Sequence, residues 1–200
     1  VNILVLLGAA AIAVTNAAAQ TYPAKPIRLV VPFSPGGASD LTARTIGEKM
    51  GQALGQPIVV ENRPGANGVV GIDVVAKSPA DGYTLLVTTT ALAINETLRE
   101  TKPFSAADFK TVAIVASSPE ALVTSPSNPA KNLAEFVKAA QGKTINFGSA
   151  GVGSGSHIEA EYFFKKIAKI DATHVPFQGG APAINATLGN QIDLLATTLG

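Results

Sequence analysis

Short apolar runs alternate along this chain with longer segments whose apolar residues recur at helical spacing. Ile27–Val31 is a continuous apolar run, as a strand buried on both faces requires. Leu41, Ile46, Met50 and Leu54 then recur at helical spacing, with Ser39 or Asp40 placed to cap the helix and Gly55 to end it. Pro57–Val60 reads as a second strand, Arg63-Pro64-Gly65 as a break, and Val69–Ala76 as a short helix. Asp81-Gly82 marks a turn, Tyr83–Val87 a third strand and Ala91–Leu98 another helix. Val112–Ala116 and Leu122–Thr124 are strand-like runs around Ser117-Ser118-Pro119, a segment suited to crossing between two lobes. Asn132-Leu133-Ala134-Glu135 has capping-box form, with Asn in place of Ser or Thr, and opens a helix to Ala140. Strand Thr144–Phe147, helix Ser156–Ala168, strand Ala172–Val175, helix Ala181–Leu188 and strand Ile192–Ala196 complete the pattern. Such alternation predicts an α/β chain with a parallel or mixed sheet covered on both faces.

Loops rich in Gly, Ser and Thr follow several of these strands: Ser34–Ser39, Thr88–Thr90, Ser149–Ser156 and Gln178–Gly180. In open α/β sheets, ligands bind beyond the carboxyl ends of the strands, so loops of this kind in that position predict one small-molecule cleft. None of them contains Lys, Arg or Cys, so backbone N–H groups and hydroxyls must supply the grip. The segment Pro32–Asp40 runs from a strand end straight into a helix. Gly36 and Gly37 allow close backbone approach, and the unpaired N–H groups of a first helical turn favour an anion. Ser149–His157 repeats the arrangement with more hydroxyls.

Composition narrows the field. Charged residues make up 14% and the net charge is +1, which leaves no electrostatic case for nucleic acid or an anionic membrane surface. There is no cysteine, hence no disulfide scaffold and no thiolate metal site. Val1–Gln20 lacks Lys, Arg, Asp and Glu, carries the apolar run Ile3–Val14 and ends in Ala17-Ala18-Ala19. It reads as a secretory signal peptide, although without a basic leader or initiator Met.

Enzyme motifs fail in detail. Gly142-Lys143-Thr144 has the tail of a P-loop, but Val137 stands where its first glycine belongs. Gly151, Gly153 and Gly155 imitate a dinucleotide loop, but Ser156 replaces the last glycine. No serine has the surroundings of a nucleophile elbow. His157 and Glu161 are spaced to share a metal, but two ligands do not make a site. His157 reads as a first-turn packing residue and His174 as a core histidine of a strand.

The strings IRLVVPFSPGGASD (Ile27–Asp40), PIVVENRPGANG (Pro57–Gly68), DGYTLL (Asp81–Leu86), INFGSAGVGSGSH (Ile145–His157) and HVPFQGGAPA (His174–Ala183) occur in this order. Together they closely resemble the Bug family, the solute receptors of tripartite tricarboxylate transporters. The resemblance runs from Tyr22 to Gly200. It implies a type II periplasmic-binding-protein fold with a hinge. The lobes would be residues 21–118 and 119–200, the second left incomplete. It implies a monomer in the periplasm that captures a small organic carboxylate, without cofactor, metal or catalysis, and delivers it to transporter membrane subunits. A secreted enzyme acting on a carboxylate and a ligand-sensing module for a signalling partner are the alternatives.

The resemblance also implies the ligand-binding residues. They are Phe33, Ser34, Gly36, Gly37, Ala38 and Asp40 on one loop, and Ser149, Ala150, Gly151, Ser154, Ser156 and His157 on the loop facing it. Thr88, Thr89, Thr90, Gly179, Gly180 and Ala181 would close around the rest. Asn62, Arg63 and Asp81-Gly82-Tyr83 match family motifs as structural residues. Thr197-Thr198 stands where many members place an acidic residue, so recognition of an amino group is not expected.

Overall fold

The central strand of the first sheet, β1 (Ile27–Val31), is apolar because both of its faces are covered: Ile27, Leu29, Val30 and Val31 are all buried. It is flanked by β2 (Ile58–Asn62) and β3 (Thr84–Leu86), both parallel to it, in the order β2-β1-β3. A computed structural model describes residues 21–199 of the chain, apart from 99 and 102. The signal-peptide reading of Val1–Gln20 lies outside these residues. The second sheet comprises β4 (Glu120–Val123), β5 (Thr144–Ser149), β6 (Asp171–Pro176) and β7 (Leu194–Thr198) in the order β4-β7-β5-β6. It is mixed, with β4 antiparallel to β7 and the other pairs parallel.

Each sheet has its own core. In the first, Leu29, Val31, Phe33, Ala43, Val87 and Ala91 pack together. The second is covered on one face by the Phe136, Phe147 and Phe164 cluster, and on the other by Ala183, Ala186, Ile192 and Leu195. The helices that supply these faces are α1 (Ala38–Leu54), α2 (Val69–Ala76), α3 (Ala91–Leu98), α4 (Leu133–Ala140), α5 (Gly155–Tyr162) and α6 (Gly180–Leu188).

Several elements depart from the sequence pattern for physical reasons. Helix α1 is capped by Gly37, not by Ser39 or Asp40. Its buried face is formed by Asp40, Ala43 and Gly47, while Leu41 is 53% exposed. Small residues win because the helix lies close against β2: a Cβ on Gly47 would stand 3.3 Å from the Ile58 side chain. The helix expected over Ser156–Ala168 is α-helical only to Tyr162 and continues as a π-helical turn, Phe163–Ala168, that ends on left-handed Lys169. The wider turn buries Phe164 completely.

Val112–Ala116 makes no strand, and Val112 and Ile114 are 85% and 89% exposed. An apolar run becomes a strand only when a neighbour takes up its backbone groups, and none of the described strands pairs with it. At α4, Asn132 Oδ1 accepts the Glu135 N–H at 2.9 Å. Glu135 reaches back one residue further than a capping box would, to the Lys131 N–H at 2.9 Å.

Gly71 shows how tightly the first sheet is packed. A Cβ there would lie 2.7 Å from Pro32 Cβ, 2.8 Å from Pro32 Cα and 2.9 Å from the Arg63 carbonyl. Backbone cannot swing aside as a side chain can, so Gly71→Ala is expected to destabilise the fold by about 1–3 kcal/mol, the usual cost of overpacking, despite alanine's better helix propensity. Urea denaturation of the two proteins checks this; equal midpoints would refute the contact.

Candidate ligand-binding cleft

The loops that follow β1, β3, β5 and β6 meet between the two sheets, and the first is shaped from behind by a buried carboxylate. Asp40 is 2% exposed. Its Oδ2 accepts the Gly36 N–H at 2.9 Å and the Arg44 Nε–H at 3.0 Å, and its Oδ1 accepts Asn62 Nδ2–H at 3.0 Å. Asn62 also donates to the Phe33 carbonyl at 3.0 Å. Burial alone would raise the Asp40 pKa; the hydrogen bonds from Arg44, Gly36 and Asn62 outweigh it and hold the carboxyl below its ordinary value. Asp40, placed by its motif among the ligand-binding residues, thus has both oxygens committed inside the protein. Gly36 can turn back onto this carboxylate because it adopts φ of +81°. Ala38 and Ser39 open helix α1, so their N–H groups have no carbonyl one turn earlier to bond.

The loop after β5 is knitted together by its own hydroxyls. Ser149, Ser154 and Ser156 are buried. Ser149 Oγ accepts the Gly151 N–H at 3.2 Å and lies 2.7 Å from His174 Nε2. Ser154 Oγ caps α5 by accepting the His157 N–H at 3.2 Å and is 3.1 Å from Ser156 Oγ. His157 Nδ1 accepts the Gly153 N–H at 3.0 Å, which leaves Nε2–H to donate to Glu161 at 2.7 Å. The His157 and His174 rings stack with centroids 3.8 Å apart. Both histidines support the loop from inside, His157 as a first-turn residue that packs and hydrogen-bonds. No group of three or more His, Cys, Asp or Glu that could hold a metal exists among the described residues.

Contacts across the gap join the loop after β1 to the loop after β6. Ser34 N–H and Ser34 Oγ–H both donate to the Gln178 carbonyl, at 3.1 and 2.5 Å. The two chains approach so closely that a Cβ on Gly179 would stand 3.1 Å from Ser34 N. Ser34 is therefore engaged with the opposite loop.

Cavities open between the sheets among the described residues, and two of them are lined by these loops. One, of about 210 Å³, is lined by Pro32, Phe33, the 65–68 segment, Ala150–Val152 and Pro176–Gln178. The second, about 70 Å³, is lined from one side by Phe33, Gly37, Ala38, Ser39, Thr89 and Thr90. From the other side come Glu120, Ala150, Ser154–Ser156, Gly180, Thr197 and Thr198. Of the residues singled out by sequence, Phe33, Gly37, Ala38, Thr89, Thr90, Ala150, Gly151, Ser154, Ser156 and Gly180 line one or both cavities. Ser34, Gly36, Asp40, Thr88, Ser149, His157, Gly179 and Ala181 stand behind or beside them. No Lys, Arg or His lines either cavity.

Sequence reading missed Glu120 and Asn67; Ser39 lay in the loop Ser34–Ser39 that it assigned to the cleft. Glu120 fell between Ser117-Ser118-Pro119 and the strand-like run at Leu122, in the segment read as crossing between two lobes; its signal was an acidic residue isolated in an apolar region. Asn67 sits in a left-handed turn at φ of 54°. Its side-chain amide is buried without a hydrogen-bond partner.

Two lobes, each ending its strands and starting its helices at a shared gap, define the cleft of a periplasmic binding protein, and solved structures of that class superpose on this chain. The model of the tripartite tricarboxylate transporter family receptor matches residues 42–200, and the chain belongs to that family. BugT of Bordetella pertussis is 39% identical over 181 residues, covering 87% of this chain and 55% of its own. A solved structure of R. palustris Rpa4515 with adipate is 31% identical with a TM-score of 0.85, covering 89% of this chain and 60% of its own. MatC from Rhodopseudomonas palustris with bound malate is 34% identical with a TM-score of 0.76, covering 88% and 61%. The chain thus spans between half and two thirds of the length of these proteins.

Stability should report on the half-buried His174. Burial, with a smaller push from His157, lowers the His174 pKa from 6.5 to about 4, against a weaker opposite pull from Glu161. Between those values the unfolded chain binds a proton that the folded one refuses. Stability is therefore full above pH 6.5 and falls as pH drops toward 4. The lowered carboxyl of Asp40 adds a loss of the same sign at lower pH. His174→Gln, which keeps a hydrogen-bonding group for Ser149, is expected to flatten the change in urea midpoint between pH 7 and pH 5. An unchanged slope would refute this.

Proposed function

We propose that this protein is a periplasmic receptor that captures a small organic carboxylate and hands it to the membrane subunits of a tripartite tricarboxylate transporter. The observation that carries the reading is the convergence of helix starts on one gap: Gly37–Ser39 of α1, Ser154–Ser156 of α5 and Gly180 of α6 line a single cavity. A helix start presents unpaired N–H groups and the positive end of the dipole, the preferred surroundings of a carboxylate. Hydrogen bonds of this charge-assisted kind are roughly twice as strong as neutral ones. MatC and Rpa4515, solved with malate and adipate, support the ligand class.

In this reading residues 21–118 and 119–200 move as lobes about the segment before β4. The ligand carboxylate seats on the amides of Gly37 and Ala38, with Thr89 and Thr90 beside it and Ala150 and Gly151 opposite. Phe33 shields it from water. The bonds from Ser34 to Gln178 latch the lobes when they close, and Gly36, Asp40, Ser149, His157, Gly179 and Ala181 hold the loops in shape. The protein binds and releases; it performs no chemistry.

A thermal-shift screen against small carboxylates tests the reading. A ligand at a hundred times its dissociation constant should add about 2.7 kcal/mol of stability. Gly37→Val places a branched side chain over the amides, where a Cβ alone has room, 3.7 Å from Gly180 N. It is expected to abolish the shift while costing the unliganded protein about 1 kcal/mol at the N-cap. A shift that survives the substitution would remove this loop from the site.

A further inference from the structure

Glu120 is the one charged residue among those lining the smaller cavity; its companions are Gly, Ala, Ser, Thr and Phe33. It opens β4 and pairs across the ladder with Thr198, whose Oγ1–H donates to Glu120 Oε1 at 2.7 Å. The position a Cβ would take on Gly155, the first residue of α5, lies 3.9 Å from this Oε1 and 3.2 Å from Thr90 Oγ1. A carboxylate from the second sheet and a hydroxyl from the first therefore converge on one point of the cleft. Glu159 Oε1 lies 3.7 Å from the same point. Glu120 is exposed as a residue, at the rim of the cavity; partial burial of its carboxyl raises its pKa, Thr198 opposes the rise, and the charge of Glu159 adds to it, as befits a carboxylate short of positive neighbours.

We infer that Glu120 selects the ligand: it supplies from β4 the acidic group that Thr197-Thr198 lack, so that, against the expectation drawn from those threonines, the cleft takes a carboxylate bearing an ammonium group, an amino acid, in preference to a dicarboxylate. This rests on the receptor reading and deepens it. The carboxylate end keeps the Gly37 and Ala38 amides. The ammonium end donates to Glu120 and to the hydroxyl oxygens of Thr90, Thr197 or Thr198, an arrangement that matches its three donors. A second ligand carboxylate would meet Glu120 with no lysine or arginine lining the cavity to offset the repulsion.

Isothermal titration of the purified protein decides it, with succinate, glutarate, adipate and malate set against L-alanine, L-leucine, L-glutamine and 4-aminobutyrate. The best amino acid is expected to bind about tenfold or more tighter than the best dicarboxylate. Glu120→Gln, which keeps an acceptor for Thr198, should shrink that ratio roughly tenfold. A dicarboxylate as the tightest ligand of the unmodified protein overturns the inference alone and needs no variant. So does a ratio unchanged in Glu120→Gln. Absence of binding by every acid to both proteins overturns the receptor reading and this inference with it.

Discussion

The buried carboxylate of Asp40 is the constraint on which the cleft depends. It lies at the junction of strand, loop and helix, and it takes hydrogen bonds from all three regions: Gly36 in the loop, Arg44 one turn along α1, and Asn62 at the end of β2. A carboxylate removed from water needs several donors at once to offset its desolvation. The backbone of Phe33–Ala38 is the part that bends to provide them. In doing so it turns the amides at the start of α1 outward into the gap. The anionic side chain thus shapes, from inside, a surface suited to an anion outside.

The same economy runs through the opposite loop. Its serines are spent on one another and on the stacked histidines, so they stiffen the backbone instead of reaching for a guest. In the proposed function recognition is left to main-chain groups, to threonines at the rim and to Glu120. A site with no fixed positive side chain depends on dipoles aligned by the fold, and those act only over the first turn of a helix. Gly and Ala line much of the cavities, as the proposed function requires, because a larger side chain would hold a carboxylate away from the amides.

Much of the architecture was legible locally. The helices at Val69–Ala76 and Ala91–Leu98 match the structure residue for residue, and the other strands and helices fall within a few residues of their patterns. The failures share a cause. Leu41 looked like a core position by spacing, but α1 approaches β2 so closely that only Ala43 and Gly47 fit between them. Val112–Ala116 looked like a strand, but pairing is decided by a neighbour, not by the residues themselves. Within the cleft, Gly37, Ala38, Thr89 and Thr90 were visible as loop chemistry after strands, whereas Asp40, an apt cap in sequence, turned inward.

Local chemistry was enough to settle that this is an α/β chain whose strands end in flexible, uncharged loops, because periodicity and turn residues act over a few positions. Only the folded chain could decide that Glu120 stands beside Thr198, with Thr90 facing the same point, and that Ser34 is tied to Gln178. Those neighbours are 78 and 144 residues apart in sequence for the two hydrogen bonds concerned. No local rule links such positions; packing two sheets against one gap does.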